Sequence, residues 1–249
     1  MALIKAVTFD LWNTLIIEKN YTELRVEAFR KALLGEGISR TLDEVLKAHE
    51  AATARYNKVW AEEHRHFPNE ERLNLSLELL GVELPNNVKA YVAREFAEAF
   101  LRDPPELNDG VERTVRRLSA KMKLGIISDT GLTPGSVIRR YLSEKGLLSF
   151  FSATVFSDER GYCKPDVRAF RKALGLLRVT PAEAVHVGDL LRTDVAGAKA
   201  AGMKTVWLKA TKGEKVEGVV PDYVITSLPQ LLKIEGLGAQ DRVLKKLIR

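Results

Sequence analysis

Three short apolar runs in this chain stop at residues that carry charge or a hydroxyl. Ile4-Lys5-Ala6-Val7-Thr8-Phe9 ends at Asp10, Leu124-Gly125-Ile126-Ile127 ends at Ser128-Asp129-Thr130-Gly131, and Val185-His186-Val187-Gly188 ends at Asp189, with Asp194 close behind. A lysine, Lys164, stands in Cys163-Lys164-Pro165-Asp166, just ahead of a helical pattern. Carboxylates at such positions suit a cation. A hydroxyl with neighbouring backbone amides suits the oxygens of an anion, and an ammonium can neutralise a carboxylate and a phosphoryl group together. Each residue alone has a plainer reading: Asp10, Ser128 and Asp129 as turn formers, Lys164 as a surface charge, Asp194 as a first-turn helix residue. An aspartate, a serine, a lysine and an aspartate pair at successive strand ends make coincidence a poor explanation.

The elements that must position them follow from periodicity. Runs of four to eight apolar and β-branched residues, too short for ordinary helices, fit a parallel sheet covered on both faces. The pattern predicts strands at 4–9, 123–128, 153–156, 184–187, 204–208 and 223–225, alternating with helices from Gly110 onward. That is the βαβ rhythm, and its right-handed connections leave few topologies. The fold class is therefore α/β, a Rossmann-like parallel sheet flanked by helices. Ligands of such sheets bind at the carboxyl edge, where Asp10 would sit. Between the first strand and the hinge signal Asp103-Pro104-Pro105 nothing reads as a strand. Four helices are expected there, at 23–34, 41–61, 70–80 and 86–101, the second opened by the capping box Thr41-Leu42-Asp43-Glu44. Residues 1–16 and 104–249 would form the sheet domain and 17–103 an inserted all-helical cap domain.

Composition limits the possible functions. With 45% hydrophobic and 29% charged residues in 249, the chain has the makeup of a globular protein with a sizeable core, and it has no apolar run long enough to span a bilayer. The first strand begins too early to leave room for a signal peptide, so a cytoplasmic location is expected. One cysteine, Cys163, excludes an internal disulfide or a cysteine-rich metal site. The abundance of Lys, Arg and Glu points to a thermophilic source. The net charge of +6 is spread along the chain. Its one basic cluster, Lys245-Lys246 with Arg249, reads as the solvated face of a short terminal helix, so handling of small anions is expected rather than nucleic-acid or membrane partners.

The four motifs, Asp10-Leu11-Trp12-Asn13-Thr14, Ser128, Lys164 and Gly188-Asp189 with Asp194, resemble those of the haloacid dehalogenase superfamily, most of whose members are phosphatases. The resemblance covers the whole sheet domain, and the helical insert resembles the family's cap of the first type. It implies that Asp10 is a nucleophile forming an aspartyl phosphate. It also implies Mg2+ held by Asp10, Asp189 and the backbone carbonyl of Trp12, with Asp194 orienting that shell. Ser128 and Lys164 would hold the transferring group of a small phosphorylated substrate, with Asp129 beside them.

Trp12 departs from the pattern. Family phosphatases usually carry a second aspartate there as acid and base, and an indole can do neither; Asp129 and Glu18 are possible substitutes. The dehalogenases themselves carry an aromatic at this position, which keeps open an L-2-haloacid dehalogenase acting without metal. Against that, their last motif has Ser and Asn where this chain has Gly188 and Asp189, and a carboxylate facing Asp10 repels it unless a cation lies between. Arg40 could mimic the dehalogenases' halide-binding arginine but reads as a loop residue. A weakened protein that binds a phosphorylated ligand without turnover is the third reading. In the insert, Trp60 and the run His64-Arg65-His66-Phe67 could stack on or bond a substrate. The plain alternative for that cluster is packing and solvation. His186 reads as a packed strand histidine and Cys163 as a bystander.

Overall fold

The computed structural model of the chain describes residues 3–209 and 216–237. The basic terminal segment holding Lys245, Lys246 and Arg249 lies outside them. Six parallel strands form one sheet: β1 (Ala6–Phe9), β2 (Lys123–Ser128), β3 (Phe151–Phe156), β4 (Ala184–Gly188), β5 (Lys204–Leu208) and β6 (Tyr223–Ile225), in the order β3-β2-β1-β4-β5-β6. Strand side chains alternate between faces. Val7 and Phe9 join Leu124, Ile126, Val185, Val187 and Val206 against helices α5 (Val111–Ser119) and α6 (Gly135–Glu144). Ala6, Ile127, Ala153 and Val155 join Ala169, Phe170 and Ala173 of α8 (Val167–Leu177) on the other face. Both faces are covered, which is why the strands read as apolar runs rather than as polar alternation.

The chain builds outward from β1 to β3, then crosses back and builds β4 to β6 on the other side. The reversal falls between β1 and β4, and in open α/β sheets a crevice opens there at the carboxyl ends of the strands. Asp10 and Asp189 end those two strands.

Between β1 and α5 come four helices: α1 (Thr22–Gly35), α2 (Leu42–Lys58), α3 (Asn69–Leu80) and α4 (Asn86–Arg102). Thr41 and Glu44 make the capping box that starts α2, with Glu44 N to Thr41 Oγ1 at 3.2 Å and Thr41 N to Glu44 Oε2 at 2.7 Å. The expected single helix over 41–61 instead changes pitch. A π-helical turn, Val59–Glu63, follows α2 and stops at His64 in the left-handed region, φ 51°. A second π turn, Leu191–Val195, replaces the expected helix start at Thr193 and precedes the short α9 (Ala196–Ala200); α7 is the single turn Ser157–Arg160. Such widened turns favour functional positions, and these two carry Trp60 and Asp194. No helix among the described residues is long and apolar enough to cross a membrane.

The insert packs on its own core of Val26, Phe29, Leu33, Val45, Leu73, Leu77, Val92 and Phe96. His49 lies in that layer, its ring edge-on to Phe96 with centroids 5.4 Å apart. Burial, with Arg72 and Arg25 adding to it, pulls its pKa down to about 4. A histidine whose folded pKa lies below its unfolded value stabilises the fold fully above the unfolded pKa, and the contribution is lost as pH falls toward the folded one. Between pH 7 and 5 the protein is therefore expected to lose about 2 kcal/mol through His49 alone. Urea unfolding at the two pH values should show His49→Leu losing less by that amount.

Candidate active site

The carboxyl edge of the sheet gathers the residues singled out above. Asp10 N donates to Val187 O at 2.8 Å, which holds the Asp10 backbone beside β4. Lys164 reaches in from the loop before α8 and its ammonium bridges Asp10 Oδ1 at 2.5 Å and Asp194 Oδ1 at 2.6 Å. Asp10, Lys164 and Asp194 are all buried. Asp194 is placed by the π turn after β4: Leu190 N donates to its Oδ2 at 3.0 Å, and His186 Nε2 lies 3.3 Å from its Oδ1. Gly188 is required by that arrangement, because a β-carbon there would lie 2.3 Å from the Asp194 carboxyl carbon. Trp207 Nε1 donates to Asp189 O at 2.8 Å and fixes the backbone of the remaining carboxylate.

One carboxylate oxygen from each of Asp10, Asp189 and Asp194 lies within 4.8 Å of the others. The electrostatics report crowding. Burial pushes the Asp10 carboxyl well above the usual range; Lys164 opposes this, while Asp194 and Asp189 add to it. Burial and Asp194 lift Asp189 to about 7. Burial opposes the charge of Lys164, but Asp10, Asp194 and Asp129 outweigh it and hold the ammonium well above an ordinary lysine. Burial works against ionised Asp194 too, yet Lys164 and His186 keep it below the usual carboxylate range. Three clustered carboxylates share one ammonium, so the cluster is short of positive charge. A hard divalent cation with oxygen ligands, Mg2+ among them, fits this donor set.

The other expected residues fall as follows. Asp129 accepts from Lys164 N through Oδ1 and from Trp60 Nε1 through Oδ2, both at 2.9 Å. Ser128 is buried at the end of β2, its Oγ 3.4 Å from Asp129 O, and it does not line the cavity. The Trp12 indole donates to Asp129 O at 3.0 Å and packs edge-on against Phe100. Glu18 lines the cavity, held by Asn13 Nδ2 to Oε2 at 3.1 Å. Asn13 itself adopts φ 53°, a left-handed conformation that asparagine tolerates and the tight turn needs. Asp129 has both oxygens engaged, so Glu18 is the better placed of the two substitutes for position 12.

Trp60 does cross from the insert to the sheet edge, and Arg192 stands over its ring at 4.2 Å. The neighbouring run has a different task. His64 O accepts from Cys163 N, His66 N donates to Gly161 O, and His66 Nδ1 lies 3.3 Å from Ser157 Oγ. These residues dock the insert on the loop before Lys164 and do not line the cavity. Arg40 donates to Ser39 O and Leu80 O near the start of α2, away from the cavity. His186 is packed in β4 against Phe170, as expected, and Cys163 is buried.

The cavity, about 460 Å3, is walled on the insert side by residues the sequence reading passed over, chiefly Arg25, Thr53, Tyr56 and Arg72. A signal was available for Arg72. It falls in the helical stripe of Leu73, Ser76 and Leu77 that α3 buries, where a cation is out of place.

This architecture matches known proteins over most of its length. The family model of the haloacid dehalogenase-like hydrolases matches residues 4–202. A curated relative, the glyceraldehyde 3-phosphate phosphatase of Pyrococcus furiosus, is 32% identical over 240 residues, 94% of each chain. Two solved structures superpose closely. The phosphatase from Thermococcus onnurineus has a TM-score of 0.67 at 28% identity, covering 94% of this chain and 99% of its own. The 2-haloacid dehalogenase from Pseudomonas syringae has 0.69 at 26%, covering 93% and 97%. The Asp10 strand end, the Lys164 loop and the acidic end of β4 all lie within the matched segment, and the chain belongs to the haloacid dehalogenase-like hydrolases.

Proposed function

We propose that the protein is a Mg2+-dependent phosphatase that hydrolyses a small phosphomonoester through an aspartyl phosphate on Asp10. The observation that carries this reading is the excess of carboxylate over ammonium around Asp10. Asp10 and Asp189, with the Trp12 carbonyl, would hold the cation, and Asp194 and Lys164 would orient them. When bound, Mg2+ would neutralise charge on the phosphoryl oxygens. Lys164 and the amides after Ser128 would hold those oxygens while Asp10 attacks phosphorus and the ester bond breaks. With an indole at position 12 offering no proton, the departing alkoxide would take one from water. Water then attacks phosphorus, releasing phosphate and the Asp10 carboxylate. Trp12 and Trp60 would form the aromatic walls against which the substrate lies, and the helical insert, taken as residues 17–103, would act as its lid.

A leaving group that needs no proton should gain most from this site, because general acid catalysis is typically worth about 10²–10⁴-fold. The expected result is a kcat/KM for p-nitrophenyl phosphate at least about a hundredfold above that for ethyl phosphate, lost when EDTA removes the metal. Comparable values for the two esters would contradict the consequence drawn from Trp12. The indole and the similarity to a dehalogenase favour a second reading, attack of Asp10 on carbon with halide loss. Metal-independent halide release from L-2-chloropropionate would select it, and retained binding of phosphate without turnover would select a binding protein.

A further inference from the structure

Two arginines of the insert face the cavity without an acidic partner. Arg72 is buried and Arg25 half-buried, and among the described residues no carboxylate lies within ion-pair distance of either. Several other arginines are braced by carboxylates: Arg139 has Glu159, Arg168 has Asp166 and Arg102 has Glu95. Here the guanidinium groups are aimed by neutral acceptors. Arg25 donates through Nε to Phe96 O at 3.0 Å and through Nη2 to Thr133 Oγ1 at 3.1 Å. Arg72 donates through Nη2 to Thr53 Oγ1 at 2.9 Å and lies over the Tyr56 ring at 4.5 Å. Tyr56 in turn donates to Thr130 O at 3.0 Å, in the loop that follows Ser128 and Asp129. Neither Nη1 has a hydrogen-bond partner among the described residues. Arg72 Nη1 lies 3.8 Å from where a β-carbon on Gly131 would stand, which sets it at contact distance from the loop that follows Ser128.

Buried charge without a counter-ion is costly, and the cost is visible here. Burial pulls Arg72 down to about 10; burial together with the charge of Arg72 pulls Arg25 down to about 9. Both guanidinium groups line the same cavity as Asp10, Lys164 and Asp189. One small molecule can therefore touch the reacting carboxylate and the arginine pair at once. A planar guanidinium with free N–H groups selects an oxyanion, most strongly in a bidentate pair.

We propose that Arg25 and Arg72 form a subsite for a second oxyanion, so that the preferred substrate is a small phosphomonoester bearing a carboxylate or a second phosphoryl group. The proposal rests on the phosphatase reading above. It goes beyond it by choosing among esters whose leaving groups are alike.

The test is kcat/KM for 3-phosphoglycerate and for glycerol 1,3-bisphosphate, each against glycerol 3-phosphate and glyceraldehyde 3-phosphate, with p-nitrophenyl phosphate as the assay of turnover itself. The expected result is a preference of roughly ten- to a hundredfold for at least one of the two esters bearing a second oxyanion, and the more favoured of the two identifies that oxyanion. Arg25→Met and Arg72→Met should each reduce that ratio about tenfold or more, and because the ratio is internal to each protein, partial unfolding cannot produce the change. The wild-type preference is read even if a variant fails to fold. Phosphate release from p-nitrophenyl phosphate with no preference among the alkyl esters would overturn the subsite and leave the phosphatase standing. A preference that survives both substitutions would overturn its assignment to these arginines. No phosphate from any ester would remove the phosphatase reading and the subsite with it.

Discussion

Asp10→Asn is expected to abolish phosphate release while leaving the metal-free protein at least as stable as the parent. The kinetic half follows from chemistry: an amide is no nucleophile toward phosphorus, and removing a covalent catalyst of this kind typically costs about 10⁴-fold or more. The stability half follows from the crowding at the strand edge. Burial, with Asp194 and Asp189, holds the Asp10 carboxyl above its ordinary pKa despite Lys164. A group whose folded pKa is raised favours the fold below its unfolded pKa of about 4 and loses that contribution as pH rises. At pH 7 its ionised form therefore opposes folding, and the neutral amide removes the penalty. Lys164 keeps its bond to Asp194 at 2.6 Å, so the substitution strands no ammonium. Thermal melting in EDTA should show an equal or higher Tm beside the lost activity. A large drop in Tm would mean that the Asp10–Lys164 pair is chiefly structural.

Lys164→Met should move the two properties together. The ammonium is the cation bonded to Asp10 and Asp194, and its own amide carries Asp129. Without it the cluster keeps its buried carboxylates and loses its counter-charge, which for a broken buried pair costs about 3–5 kcal/mol. Turnover should fall about 10²–10³-fold, the usual effect of removing one stabiliser of transition-state charge. The pH response separates the causes. Carboxylates deprived of their cation take up protons more readily, so lowering the pH from 7 to 5 should narrow the variant's stability deficit relative to the parent. Urea unfolding at both pH values would check this; equal deficits would exclude carboxylate repulsion as the source.

The sheet and its acidic edge were legible in the sequence because the relevant signals are local. Each strand is a short apolar run closed by a polar residue, and parallel pairing then brings Asp10, Ser128 and Asp189 to one edge whatever the intervening chain does. Lys164 and Asp194 were legible as types but not in their contact, which depends on a π turn and on the close approach over Gly188. Trp60 was singled out and lines the cavity with its indole bonded to Asp129, whereas His64-Arg65-His66-Phe67 looked equally suited to a ligand. Its backbone instead docks on residues 161–163, a pairing between segments about a hundred residues apart that composition does not encode. Arg25 and Arg72 were missed for the converse reason. A charged residue on an amphipathic helix ordinarily reads as solvated, and Arg25 carries no mark against that reading, whereas the place of Arg72 in the apolar stripe of α3 was the one available sign.

Central to the account is a covalent phosphoryl group on Asp10. Turnover of p-nitrophenyl phosphate with Mg2+, quenched in acid, reduced with borohydride and followed by peptide mass mapping, reads it directly, because reduction of an aspartyl phosphate yields homoserine. Homoserine at position 10, present only when Mg2+ and the ester are both supplied, is the predicted result. Phosphate release with position 10 unmodified under the same quench would contradict it.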